Sequence, residues 1–370
     1  LESCRGQTGF DFSNMLLAEK TVLAACDYLI GNLETPIAYE TMRYTCERYR
    51  FNTPVAFAEM LKDTGFHLVS TANNHCMDRG FEGLQATIDQ LDAIGLKHIG
   101  TYKTAEERNK SFIVEIDGIS IGFLAYTYGT NAFYHHTFLP QDCPFAVNLF
   151  QPQETLPGAI DLLDDQAIPN QVYQLYDTPN EEFDQSIRPL QQQIRADLAR
   201  LRSDGSEYCV CLLHSGGQHN AWPDALTLRI ADYIHEAGAN AIIGHHPHVI
   251  HPMKMKGACP VAFSLGNFIC SPDPNQRGKE LASEYSIVLG LELKRCQNGV
   301  HHTRTSFSVH KSILREDGKT AVVPVDTLFK EAQSEDDRMD LAAANQYCVN
   351  KFLGRALSTP VTVQAEYESI

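Results

Sequence analysis

The run Ala239-Asn240-Ala241-Ile242-Ile243-Gly244-His245-His246-Pro247-His248 changes character at Gly244. Before that glycine lies a short apolar stretch bounded by turn residues, which predicts a buried strand over Ala239–Ile243. After it come clustered imidazoles, with Pro247 stiffening the link between His246 and His248. Immediately upstream the spacing predicts a helix from about Asp224 to Ala237, stopped by Gly238. A helix, a strand, then a polar loop: the unit recurs along the chain. Asp27-Tyr28-Leu29-Ile30 runs into Gly31-Asn32-Leu33-Glu34, and His67-Leu68-Val69-Ser70 empties into Ala72-Asn73-Asn74-His75. Tyr208 to Leu213 leads into His214, and Val261 to Phe263 into Ser264-Leu265-Gly266-Asn267. Strands alternating with helices predict an α/β sheet. In open sheets of this class, ligands bind beyond the ends of the strands.

The intervening segments fit that scheme. Thr53-Pro54 reads as N-cap and first residue of a helix reaching Asp63. Phe81, Leu84, Ile88, Leu91 and Ile94 recur at helical spacing, with Gly95 as the stop. Asp117-Gly118 predicts a tight hairpin between Phe112–Ile116 and Ile119–Tyr126. Residues 129–185 lose periodicity and gain Pro, Asn, Gln and Asp, which marks an insertion over one face with the character of a lid. A helix on Ile187, Leu190, Ile194, Leu198 and Leu201 resumes the alternation. Two strands near 284–293 and 303–310 precede a polar tail with a helix near 326–353. The expected organisation is one α/β domain over 1–310, with the insertion at about 129–185, and a C-terminal extension over 311–370.

Composition narrows the function classes. The chain has 370 residues, of which 43% are hydrophobic and 21% charged, so it is neither disordered nor fibrous. Its formal charge of -16 repels phosphate backbones and anionic membranes and argues against general nucleic-acid binding. No run of about 18 apolar residues occurs, so no membrane span is expected. The 11 cysteines are scattered, without a CxxC pair, and read as free, mostly buried thiols. Alternation sends Cys209 and Cys211 to one face of their strand. Cytoplasm and cell envelope both stay open as locations.

Five strand-end loops carry the chemistry: Asn32 with Glu34; Asn74, His75 and Asp78; His214; His245, His246 and His248; and Asn267. Carboxylate, carboxamide and imidazole without thiolate suit a hard to borderline divalent ion such as Mn, Fe or Zn. Each group also has a bland reading. Asn73-Asn74 can be a turn pair, and a lone His214 can be a satisfied imidazole. His135-His136 and His301-His302 read as surface residues, and Cys76 as a packed neighbour. Arg43, Arg48 and Arg50 form a basic group near the first motif, which a solvated face explains equally well. Joint occurrence at successive strand ends favours metal.

Asn32-Leu33-Glu34-Thr35-Pro36, Ala72-Asn73-Asn74-His75 with Asp78 and Gly80, His214-Ser215-Gly216, Gly244-His245-His246-Pro247-His248-Val249 and Ser264-Leu265-Gly266-Asn267-Phe268 resemble, in order, the signatures of the CapA-type capsule synthesis proteins. That family is associated with poly-γ-glutamate capsule production and belongs to the calcineurin-like metallophosphoesterase superfamily. The resemblance covers roughly residues 20–310. It implies a metallophosphoesterase-like α/β/β/α sandwich with a strand-end metal site holding two divalent ions. Glu34 would bridge the ions, and Asn74, His214, His246 and His248 would be further ligands. His75 would protonate or stabilise a leaving oxygen, a role that suits an imidazole because free imidazoles titrate near neutrality. Asp78, three residues on, would orient His75. Asn32, His245 and Asn267 would line the substrate rim.

Two departures stand out. The family opens on a strand ending in Gly-Asp, whose aspartate resembles the first ligand of metallophosphoesterases; nothing like it precedes Phe10, so either the chain begins after that strand, which is the expectation because the other motifs are intact, or the site lacks one ligand. Gln218 and Ser215 stand where the family commonly has an acid and a tryptophan. The leading expectation is a metal-dependent hydrolase or transferase that handles an anionic polymer, with capsule assembly proteins as partners. The alternatives are a non-catalytic polymer-handling component and a hydrolase of small phosphoesters.

Overall fold

A computed structural model describes residues 4–5, 9–46, 50–153, 181–271, 282–357 and 359–368. Three parallel strands, β1 (Leu29–Asn32), β2 (Phe66–Ser70) and β3 (Lys97–Ile99), form a first sheet in that order. The helices α1 (Val55–Thr64) and α2 (Gly80–Ile94) connect them, as parallel strands require. Gly65 and Gly95 end the two helices in the left-handed conformation, at φ 108° and 69°, which side-chain-bearing residues rarely adopt.

The second sheet has six strands, β4 (Phe112–Ile116), β5 (Ile119–Thr127), β6 (Tyr208–His214), β7 (Ala241–His245), β8 (Met253–Lys256) and β9 (Cys259–Ala262), in the order β4-β5-β6-β7-β9-β8. Its centre, β5-β6-β7-β9, is parallel, and an antiparallel strand closes each edge. Gly118 turns the β4–β5 hairpin at positive φ, with Ile116 opposite Ile119. Alternation sorts the strands between two cores. Leu124, Tyr126, Cys209, Cys211 and Leu213 pack under α3 (Glu181–Ser203) and α4 (Ala225–Glu236). Phe123, Ala125, Val210, Leu212 and Ile243 face the opposite way.

On that opposite face lies an antiparallel sheet of β10 (Tyr285–Cys296), β11 (Gly299–Leu314), β12 (Thr320–Pro324) and β13 (Tyr367–Glu368). Ile287, Phe307 and Val309 pack from it into the shared core. Helices, sheet and sheet thus stack in layers, and the fold is the α/β sandwich of the metallophosphoesterase type. Two helices follow β12: α5 (Val325–Glu331) and α6 (Glu335–Leu353). The fully buried Phe352 of α6 lies 4.8 Å from the Phe307 ring. Near the start of the chain, Glu19 meets His310 Nδ1 of β11 at 2.9 Å, both side chains fully buried.

Three local expectations need correction. Thr53 does not cap α1: Pro54 occupies the cap position, and the Thr53 hydroxyl is 2.9 Å from that of Thr35. The threonine is spent on pinning the loop that carries Glu34. The tail helix expected near 326–353 is two helices, because Ser334 caps the second through the Asp337 N–H at 3.0 Å. Within the insertion, residues 129–153 return to the sheets through backbone hydrogen bonds joining Asn148 to Gly100 and to Thr127; residues 154–180 lie outside the described residues. Among the described residues, no helix is long and apolar enough to cross a membrane.

Candidate metal centre

The ends of β1, β6 and β7 converge on the Glu34 carboxylate. Glu34 Oε1 lies 3.5 Å from His214 Nε2, 3.7 Å from His248 Nε2 and 4.0 Å from His246 Nδ1. Asn32 donates to the other oxygen, Oε2, at 3.1 Å. His214 Nε2 is 2.8 Å from Asn74 Oδ1, so the amide after β2 joins the same group. His248 turns its Nδ1 to Asn267 Oδ1 at 2.9 Å, and Asn267 in turn donates to the Ser283 carbonyl at 3.2 Å.

The backbone that presents the two outer imidazoles is strained. His246 has φ 102° and His248 φ 60°, on either side of Pro247. Such conformations persist for non-glycine residues where the surroundings over-determine them. One restraint is the His219 N–H, which donates to the Pro247 carbonyl at 2.8 Å. Another is Gly244, where a Cβ would stand 2.1 Å from the Phe263 carbonyl oxygen, so β7 approaches β9 as no other residue would allow. Behind the imidazoles stands Tyr128, its ring parallel to His214 and 4.8 Å from that of His246.

The electrostatics follow from this crowding. Burial opposes ionisation of Glu34, but the imidazoles of His214 and His248 outweigh it and hold the carboxyl well below the usual carboxylate range. Burial drives His214 and His246 down, against the pull of Glu34. His245, half-exposed at the end of β7, is pushed down to about 4 by the same desolvation. An anionic Glu34 beside neutral His214 and His246 is the protonation state in which these three groups offer lone pairs.

The donor set fits a divalent cation. Glu34, His246 and His248 each offer an atom within 4.8 Å of the others, a group able to hold a metal ion. Glu34 Oε1 and His246 Nδ1, 4.0 Å apart, are buried without a hydrogen-bond partner. Unsatisfied buried acceptors are costly, and a cation among them removes that cost.

A second cluster adjoins the first. His75 Nδ1 donates to Asp78 Oδ2 at 2.7 Å, which fixes the ring and turns Nε2 outward. Phe51 stacks on that ring at 4.2 Å and its N–H donates to the same Asp78 oxygen at 2.6 Å. His135 corrects the sequence reading. It is no surface residue: its side chain is 6% exposed, with Nε2 3.4 Å from Asp78 Oδ1. The helical turn Ala132–His135 folds the start of the insertion back against the centre, and Asn131 beside it accepts from Asn74 Nδ2 at 3.1 Å. Burial disfavours the Asp78 anion, yet hydrogen bonds from His135 and His75 hold its pKa below the ordinary value. Tyr128, Asn131, His135 and Phe51 are the neighbours that sequence reasoning missed. Tyr128 directly follows β5, so the strand-end rule was the signal that could have found it.

A carboxylate and imidazoles gathered at strand ends of this α/β sandwich define a protein of the metallophosphoesterase-like class. Residues 2–272 match the family described as bacterial capsule synthesis protein PGA_cap, and the chain belongs to that family. It is 22% identical over 250 residues to the PGA biosynthesis protein CapA of Bacillus subtilis (strain 168), covering 67% of this chain and 54% of that one. It is 21% identical over 246 residues to the capsule biosynthesis protein CapA of Bacillus anthracis, covering 66% and 50%. An uncharacterized protein of Sinorhizobium fredii, y4sH, is 24% identical over 279 residues, covering 67% and 59%. The chain thus spans about half the length of the curated relatives it matches.

Proposed function

We propose that the chain is a metal-dependent hydrolase or transferase of the metallophosphoesterase type, acting on an anionic capsular polymer, poly-γ-glutamate, in its synthesis, release or export alongside capsule assembly proteins. The observation that carries this reading is the convergence of Glu34, His246 and His248, with Glu34 Oε1 and His246 Nδ1 buried and unsatisfied. Two divalent ions bound there, Mn, Fe or Zn, would supply Lewis-acid polarisation of a phosphoryl or acyl centre.

The chain's own residues divide the remaining work. Glu34 would bridge the ions, with Asn32 holding its second oxygen. His246, His248 and His214, all beside Glu34 Oε1, would complete the ligand set together with Asn74. Asn267 fixes the His248 ring through Nδ1, which leaves Nε2 toward Glu34. His75 donates through Nδ1 to Asp78, and as an imidazolium stabilised by that carboxylate it would carry a second proton at Nε2 for the leaving oxygen. Asp78 and, through it, His135 are positioning residues. His245 and Asn267 border the approach of substrate. The family match and the names of the relatives support the capsular setting.

Metal analysis and hydrolysis assays test this. About two ions per chain are expected, together with cleavage of γ-glutamyl or phosphodiester substrates. His246→Ala is expected to lose metal and activity together, and His75→Ala to keep metal while losing ~100-fold or more in rate. Unchanged rates in both variants would remove these residues from the reaction.

A further inference from the structure

Two of the arginines left unassigned by the motifs, Arg43 and Arg50, reappear together in space; Arg48 lies outside the described residues. A cavity of about 350 Å³ beside the main chain of Asp78 is lined by Met42, Arg43, Arg50, Arg79, Gly80 and Thr137. Three guanidinium-bearing residues thus border one cavity in a chain whose formal charge is -16. Among the described residues, neither Arg43 nor Arg50 is paired with a carboxylate; their interactions run to the main chain. Arg50 Nε donates to the Asp78 carbonyl at 3.1 Å. Arg79 donates through Nε to the Arg43 carbonyl at 3.1 Å and through NH2 to the Arg50 carbonyl at 3.2 Å.

Arg43 itself is held in an uncommon conformation, φ 60° and ψ 127°. Its carbonyl is clamped from two directions, by Arg79 and by Asn52 Nδ2 at 3.0 Å. The surroundings therefore enforce a backbone that an ordinary surface residue would relax, and such enforcement gathers where a side chain must be aimed. Gly80, also on the cavity wall, opens the 15-residue helix α2, so the positive end of that helix dipole adds to the field there.

We infer that this cavity is an oxyanion subsite, which takes a carboxylate or phosphate group of the same substrate that reacts at the Glu34–histidine centre. The inference rests on the function proposed above and adds the charge of the substrate to it. Planar guanidiniums bind both oxyanions through paired hydrogen bonds. A polyanion nearing an acidic protein needs a local field of opposite sign, and this cavity provides one against the His75–Asp78 cluster. A chain of γ-linked carboxylates carries its second anion along the polymer; a phosphoester carries it on phosphorus.

Arg43 offers the cleanest test, because it lines the cavity, its fold contacts run through its carbonyl, and its guanidinium has no carboxylate partner among the described residues. Calorimetric binding of a γ-linked glutamate oligomer and of inorganic phosphate would be compared for the unaltered chain, Arg43→Gln and Arg43→Lys, each metal-free and manganese-loaded, with metal content measured in parallel. At least one probe is expected to bind the metal-free chain, weaken tenfold or more in Arg43→Gln, recover in part in Arg43→Lys, and weaken further with added salt. The probe that does so identifies the source of the oxyanion. Binding of both probes that ignores Arg43, or no binding by either, overturns the subsite. The two readings separate: a chain that takes up no manganese yet loses probe affinity in Arg43→Gln refutes the metal centre and keeps the subsite. A chain that takes up manganese and binds probe with no dependence on Arg43 does the reverse.

Discussion

His248 shows how one side chain depends on a neighbour far along the chain. Its Nδ1 meets Asn267, which arrives from the loop after β9 and is tied to Ser283. Partners of this kind set the orientation and basicity of a ligating imidazole. Asn267→Ala is therefore expected to weaken manganese binding by about 10–100-fold, read by calorimetry, while leaving thermal stability of the metal-free chain nearly unchanged. At this scale the sequence is readable where chemistry is local. The His-Pro-His run and the three-residue spacing of His75 and Asp78 each sit in one loop. His135 is different: it reaches Asp78 across 57 residues, and nothing in its own neighbourhood marks the return. Asn131 and Phe51 are hidden for the same reason, since each becomes part of the centre through tertiary closure alone.

Among the elements, α3 is fastened to the sheet by one buried carboxylate. Asp197 takes both terminal nitrogens of Arg108, at 3.1 and 2.5 Å, an ion pair with Arg200 at 2.8 Å, an amide hydrogen of Gln193 at 3.1 Å and the Tyr126 hydroxyl. Replacing it with alanine strands a buried guanidinium, and a loss of ~3–5 kcal/mol is expected in denaturant unfolding. Burial opposes its ionisation but the Arg108 hydrogen bonds prevail, so its folded pKa lies below the ordinary aspartate value. A lowered folded pKa contributes stability that is present above ~4 and is lost as pH falls through the folded value. The stability gap between the unaltered chain and Asp197→Asn should accordingly be full at pH 7 and shrink on acidification below pH ~4. Most elements were readable from apolar periodicity and glycine stops. Thr53 and the break in the tail helix were not, because in each case a side-chain hydroxyl chose between two plausible backbone partners.

Over the whole molecule, the cysteines report on packing. All 11 are free. Cys26, Cys46 and Cys296 are exposed, whereas Cys4, Cys76, Cys209, Cys211, Cys259 and Cys348 are buried. Burial pushes the Cys76 thiol up to about 12 and Cys259 to about 11. A thiol reagent at pH 8 should therefore label the three exposed sites quickly and the buried set only after denaturation. Rapid labelling of Cys209 or Cys211 would mean that the core under α3 and α4 is open. Free thiols and an α/β sheet were both visible in composition and alternation, whereas the layered sandwich was implied by the family resemblance alone. How the layers meet was not visible, since sheet-to-sheet packing leaves no periodic trace in the chain.

Glu34 follows a strand of the three-stranded sheet, while His214, His246 and His248 follow strands of the six-stranded one. Among the described residues no strand of one sheet pairs directly with a strand of the other; backbone hydrogen bonds through Asn148 link only their ends, at Gly100 and Thr127. An ion gripped by both sides would act as a clasp between two separately woven panels. Occupancy at a hundredfold excess over the dissociation constant would add ~2.7 kcal/mol to whatever else keeps them closed. Amide exchange in β1–β2 and in β6–β7 should then slow in concert when manganese is added and quicken in concert on chelation. Protection confined to one panel would show that the clasp does not span the seam.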